Sequence, residues 1–120
     1  MERIRFEQHQ GKQILIVDVS NFSKVEESIA VLNKAREVIG TQAPKSMLLI
    51  TNVANSHYDP QAVDAIKKYS AFATPYLKAS SVVGVGGIKR VVYQAILRLT
   101  GRNIPNFDTE EQAKEWLAAQ

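Results

Sequence analysis

Thr74-Pro75-Tyr76-Leu77-Lys78-Ala79-Ser80-Ser81-Val82-Val83-Gly84-Val85-Gly86-Gly87-Ile88-Lys89-Arg90 holds a helix stop, a strand, a glycine turn and a helix start within seventeen residues. Thr74-Pro75 ends a helix, because the residue before proline is pushed out of the α region. Ala79 to Val85 is short and rich in β-branched residues, the pattern of a buried strand. Gly86-Gly87 permits a tight turn, and the spacing then predicts a helix with Ile88, Val91, Val92, Ala95, Ile96 and Leu99 facing inward, closed by Gly101. Helix, strand and helix in such close succession is the signature of an α/β layer fold.

Upstream, Asp59-Pro60 supplies a cap and a first-turn proline for the preceding helix, whose inner face would carry Val63, Ile66, Tyr69 or Ser70, and Ala73. Met47 to Val53 reads as a buried strand. Before it, Ser23-Lys24-Val25-Glu26 fits a capping box, followed by Val25, Ile29, Leu32, Ala35 and Ile39 at helical spacing up to Gly40. Residues 3–8 alternate, with Ile4 and Phe6 on the expected buried face, and a turn at Gln10-Gly11 joins them to the apolar run 14–19 as a hairpin. Downstream, Ile104 to Phe107 is a short strand, and Asp108-Thr109-Glu110-Glu111 is a second capping box before a helix holding Trp116 and Leu117. The order β-β-α-β-α-β-α-β-α predicts an α/β fold: one domain over residues 1–120, with a mostly parallel five-stranded sheet, an antiparallel first strand and four helices.

Composition bounds the chemistry. With 45% hydrophobic and 22% charged residues, 120 residues suit a globular domain rather than a disordered chain. The absence of cysteine excludes disulfides, thiolate metal sites and cysteine nucleophiles. No apolar run approaches the roughly 20 residues of a membrane span, and the charged start is unlike a signal peptide, so a cytoplasmic location is expected. A net charge of +3 does not by itself imply nucleic acid. Metal-ligand spacing is absent, and neither a metal nor a cofactor is expected.

The stretch from Thr74 to Arg90, together with Gly101-Arg102, Phe107-Asp108-Thr109-Glu110-Glu111 and Trp116-Leu117, resembles the SpoIIAA-like family, also described as the STAS/SEC14-like group. The likeness covers essentially the whole chain. It implies a single STAS-like domain without enzymatic activity, acting by binding or regulation, in a family without an established common activity. The anti-sigma-factor antagonists among its relatives carry a phosphorylatable serine in an Asp-Ser-Ser-Gly motif after the third strand. Here the matching segment is Asn52-Val53-Ala54-Asn55-Ser56-His57-Tyr58-Asp59-Pro60, in which only Ser56 corresponds. Ser56 is therefore expected to be a polar loop residue rather than a regulated phosphosite.

Ligands of open α/β sheets bind beyond the carboxyl ends of strands, where strand order reverses. That rim gives the candidate ligand-binding residues Asp18, Asn52, Ser56, His57, Gly86, Gly87 and Lys89. Gly84-Val85-Gly86-Gly87-Ile88-Lys89 completes neither the dinucleotide fingerprint nor the P-loop, which leaves a glycine turn with exposed amides beside Lys89. The competing reading is an enzyme using Asp18 or His57 as acid or base, but no catalytic residue is assigned. Charge is segregated: no acid lies between Asp64 and Asp108, while Lys67, Lys68, Lys78, Lys89, Arg90, Arg98 and Arg102 do. Lys67, Lys68, Phe72, Tyr76, Arg90 and Arg98 thus form the expected membrane or partner surface, although Tyr69, Phe72 and Tyr76 by default pack in the core or between helices. The partners expected are a protein, a lipid or small apolar ligand, an anionic membrane surface met peripherally, or a second copy of the chain. Nucleic acid ranks last, because no recognition motif is present.

Overall fold

The computed structural model describes residues 2–56, 59–86 and 89–120, with Lys89 as backbone only. Its elements are β1 (Ile4–His9), β2 (Lys12–Asp18), α1 (Val25–Ile39), β3 (Met47–Asn52), α2 (Pro60–Ala73), β4 (Leu77–Val83), α3 (Lys89–Thr100), β5 (Asn106–Phe107) and α4 (Glu110–Ala118), with a single 3₁₀ turn at Thr74–Tyr76. The five strands lie in the order β1-β2-β3-β4-β5, with β1 antiparallel to β2 and the remaining pairs parallel. The expected α/β fold is therefore present, element for element.

The strand order has a consequence the sequence did not reveal. It never reverses, so there is no switch point at the strand ends. Crossovers of one hand between strands laid down in a single direction put their helices on one face. Accordingly α1, α2 and α3 share a core with Leu15, Val17, Leu49 and Leu77. The opposite face, with Ile14, Ile16, Leu48 and Ile50, is covered by α4 through Ala113 and Leu117.

Local signals held where they depend on neighbouring residues. Gln10 and Gly11 both adopt positive φ, as a tight hairpin turn requires. Asp59 caps α2 by accepting from the Ala62 amide at 2.8 Å. Neither predicted capping box forms as read. α1 begins at Val25 with Lys24 as an N-cap that makes no side-chain bond, so Glu26 falls one position short of answering Ser23. In α4 the box forms between Thr109 and Gln112 rather than Asp108 and Glu111. Glu110 and Glu111 are drawn off to cations instead, Arg5 at 2.8 Å and Lys114 at 3.2 Å.

Two predicted inner faces are corrected. Phe6 is 42% exposed on the edge strand, whereas Arg5 and Glu7, on the face expected to meet solvent, are half-buried under α4. On α3, Val91 and Leu99 are 72% and 58% exposed, and Tyr93 and Leu97 pack against the core with Val92 and Ile96. The Tyr93 hydroxyl donates to the Ile104 carbonyl, which fixes the rotation of the helix.

Candidate functional site

The strand-end rim is closed on itself. The buried Asp18 carboxylate accepts from the Ser20 amide at 2.9 Å and from the Ser20 hydroxyl, with Arg3 at 3.4 Å. Arg3 also donates to the Ser20 carbonyl at 2.6 Å and lies over the Phe22 ring. Asn52 donates to Glu110 at 2.9 Å and accepts from the Ala54 amide at 3.1 Å. The Ser56 hydroxyl donates to the Val19 carbonyl. Asp18, Asn52 and Ser56 thus tie the ends of β2 and β3 to their own loops. Gly86 is exposed with open space around it. His57, Gly87 and the Lys89 side chain lie outside the described residues. The residue in this region with a demanding role is Gly84: its φ is +88°, and a Cβ there would sit 2.6 Å from the Ala54 Cα. It lets β4 pass close against the loop after β3.

The expected α2–α3 surface divides. Lys68 is exposed and paired with Asp64 at 3.0 Å, and Lys67 is half-buried. Phe72 stacks on Tyr76 with ring centres 5.6 Å apart and lies under the Arg36 guanidinium of α1. Both rings pack against the α1–α3 core, and Tyr69 is buried within it. The aromatic stripe is core and helix contact. On α3, Arg90, Gln94 and Arg98 are exposed together, as their spacing predicts, and Val91 and Leu99 are exposed beside them.

The feature with the clearest chemical character lies elsewhere, between the sheet and helices α2 and α3. A cavity of about 60 Å³ there is lined by Leu49 and Val53 from β3 and its end, Ile66 and Tyr69 from α2, Val92 and Ile96 from α3, and Ile104. Into this apolar lining the chain places Arg102. Gly101, at φ +65°, ends α3 and turns the chain back. The Tyr93–Ile104 bond anchors the far side of the turn. Arg102 then reaches Ser80 on β4, donating from Nη1 to its hydroxyl at 2.5 Å.

Arg102 Nε is buried without a hydrogen-bond partner, and among the described residues no carboxylate pairs with this guanidinium. Burial pulls its pKa below the ordinary arginine value, opposed weakly by Tyr69. The Tyr69 hydroxyl shares a 2.8 Å hydrogen bond with Thr51, and burial pushes its pKa well above the ordinary phenol value. Burying a cation without an anion is costly, and protein interiors seldom do so without a reason. Sequence reasoning missed Arg102, Tyr69 and Thr51 as site residues. The signal was present in the acid-free run from 65 to 107, which leaves α3, β4 and the second half of α2 no carboxylate to offer.

No family model and no curated protein matches the sequence. Among solved structures, the chain is similar to an uncharacterised protein of the DUF3478 family from Shewanella loihica PV-4, described as having a SpoIIAA-like fold. The similarity has a TM-score of 0.64 at 15% identity, and it covers 95% of this chain and 91% of that one. At that identity the likeness speaks for architecture alone. Together with the five-stranded sheet, its antiparallel first strand and the four helices, it establishes that this chain has a SpoIIAA-like, or STAS, fold.

Proposed function

We propose that this chain is a non-enzymatic binding or regulatory module that takes a small apolar or anionic ligand into the cavity between the sheet, α2 and α3. The observation that carries this reading is the Arg102 guanidinium, held in an apolar cavity with Nε unpartnered. Ligand sites combine an apolar lining with a few polar groups that fix orientation, and this cavity has that composition. The strand-end rim supports the enzymatic alternative poorly, because Asp18 is engaged by Ser20 and Arg3. Amide chemical-shift mapping with a library of small neutral and anionic molecules tests the reading. Hits should perturb Ile66, Tyr69, Ile96 and Arg102. Perturbations confined to Asp18, Asn52 and Ser56 would move the site to the rim, and turnover of any library member would remove the non-enzymatic assignment.

A second reading concerns peripheral contact with an anionic membrane, and one observation favours α3 over α2 for it. Val91 and Leu99 are exposed beside Arg90 and Arg98, whereas Phe72 and Tyr76 pack inside. Each basic side chain at such a surface contributes about 1 kcal/mol, so contact would be weak and salt-sensitive. Co-sedimentation with anionic vesicles at low salt should fall sharply in Arg90→Glu/Arg98→Glu. Equal recovery with neutral vesicles would exclude it.

A further inference from the structure

We infer that the α2–α3 cavity selects a small monocarboxylate with a short apolar tail, its carboxylate seated on the Arg102 guanidinium. The inference rests on the binding-module reading and adds the chemical class of the ligand.

Three observations converge on that class. The first is charge. Among the described residues Arg102 is the one cation in the lining, and the other polar side chains around it are neutral hydroxyls. A single negative charge balances a single guanidinium. A phosphate dianion would leave excess charge in a low-dielectric site, which is unfavourable without a second cation.

The second is hydrogen-bond geometry. Nη1 is occupied by the Ser80 hydroxyl, which both orients the guanidinium and leaves Nε unpartnered. Among the described residues the guanidinium has no carboxylate partner, and a planar carboxylate is the group that matches its donors. The neutral hydroxyls of Thr51 and Tyr69 are bonded to each other, so they make no comparable demand for a ligand.

The third is size and lining. A cavity of about 60 Å³ suits a small molecule of a few non-hydrogen atoms. A carboxylate takes three atoms, which leaves room for a short tail against Ile66, Val92 and Ile96. Propionate and butyrate have these dimensions.

Calorimetric and chemical-shift titrations of the whole chain with butyrate, butyramide and inorganic phosphate test the inference. Butyrate should bind saturably at the cavity residues. Its affinity should exceed that of butyramide by about tenfold or more, as expected when a charge-assisted hydrogen bond replaces a neutral one. Arg102→Met should bring the two affinities together. Arg102→Lys, which keeps the charge and loses the planar edge, should lower the preference and serves if the methionine variant does not fold. Equal binding of butyrate and butyramide at the cavity overturns the carboxylate class while leaving the binding-module reading intact. Binding of phosphate in place of butyrate also overturns it. If none of the three probes perturbs the cavity residues, the carboxylate class is overturned, and the binding-module reading is decided by the wider library.

Discussion

Each face of the sheet holds a cation drawn in from solvent, Lys114 buried and Arg102 half-buried, and the two are treated in opposite ways. Under α4, Lys114 sits between Glu7 at 2.8 Å and Glu111 at 3.2 Å. The hydrogen bond that Lys114 donates to Glu7, with a smaller one to Glu111, holds its pKa above the ordinary lysine value. Arg5 extends the same array to Glu7 at 2.6 Å and Glu110 at 2.8 Å, and Asn52 joins at Glu110. Under α2 and α3, Arg102 has a serine hydroxyl and, among the described residues, no carboxylate, and burial drives its pKa down. The first arrangement is a clamp that fastens a lone helix to the sheet. The second leaves an electrostatic demand open beside a cavity. A paired buried cation reads as architecture, and an unpaired one as a place kept for an anion.

Several substitutions break or sharpen that contrast. The largest effect is expected from Leu117→Ala, because Leu117 is fully buried and α4 alone covers its face. It should cost about 3–5 kcal/mol in urea unfolding. A cost below about 1 kcal/mol would mean that the helix contributes little to closing the sheet.

Lys114→Met comes next. It keeps the apolar stem and removes the clamp, with an expected loss of about 1–2 kcal/mol. The same clamp sets a pH window. The bonds from Lys114 and then Arg5 hold the Glu7 pKa below its ordinary 4.5, so its contribution is present above that value and is lost as pH falls through the lowered one. The Lys114 pKa is raised above its ordinary 10.5, so its contribution is present below 10.5 and is lost as pH rises through the raised one. Stability measured from pH 2 to 7 should fall at the acid end, and by less in Glu7→Gln. An unchanged acid limb in that variant would remove Glu7 from the clamp.

Arg102→Met should act in the opposite sense to Lys114→Met. Relief of an unpaired buried charge exceeds the loss of the Ser80 bond, so the free protein should gain about 1 kcal/mol. A loss of that size would make Arg102 part of the architecture. The smallest effect belongs to Ser81. Its register partner Ile50 belongs to the core under α4, and its own hydroxyl is buried there without a partner. Ser81→Ala should be neutral to about 1 kcal/mol stabilising in thermal unfolding.

What the sequence made legible follows the range of the interactions involved. The strands, the Asp59-Pro60 helix start and the Gln10-Gly11 turn depend on residues a few positions apart, and each appears within about two residues of its expected place. The capping boxes did not form as read: α1 has no side-chain cap, and in α4 Thr109 and Gln112 make the box while Glu110 and Glu111 bond to Arg5 and Lys114, Arg5 lying more than a hundred residues away in the chain. The rotation of α3 depends on the Tyr93–Ile104 tie, so Val91 and Leu99 could not be placed from periodicity alone. The rim candidates Asp18, Asn52 and Ser56 have the residue types of a site and the hydrogen bonds of loop closures. Arg102 had the reverse character. It looked like one more cation at a helix end, and only the turn at Gly101 and the reach to Ser80 bring it over the cavity.

The central claim is that the Arg102 guanidinium awaits an anion, and the side-chain Nε–Hε resonance of that residue reports on it. In a titration with butyrate, this resonance should move downfield and saturate together with the amides of Ile66 and Ile96. Butyramide at the same concentrations should leave it in place. An Nε–Hε resonance that stays fixed while butyrate perturbs other parts of the protein would contradict the account.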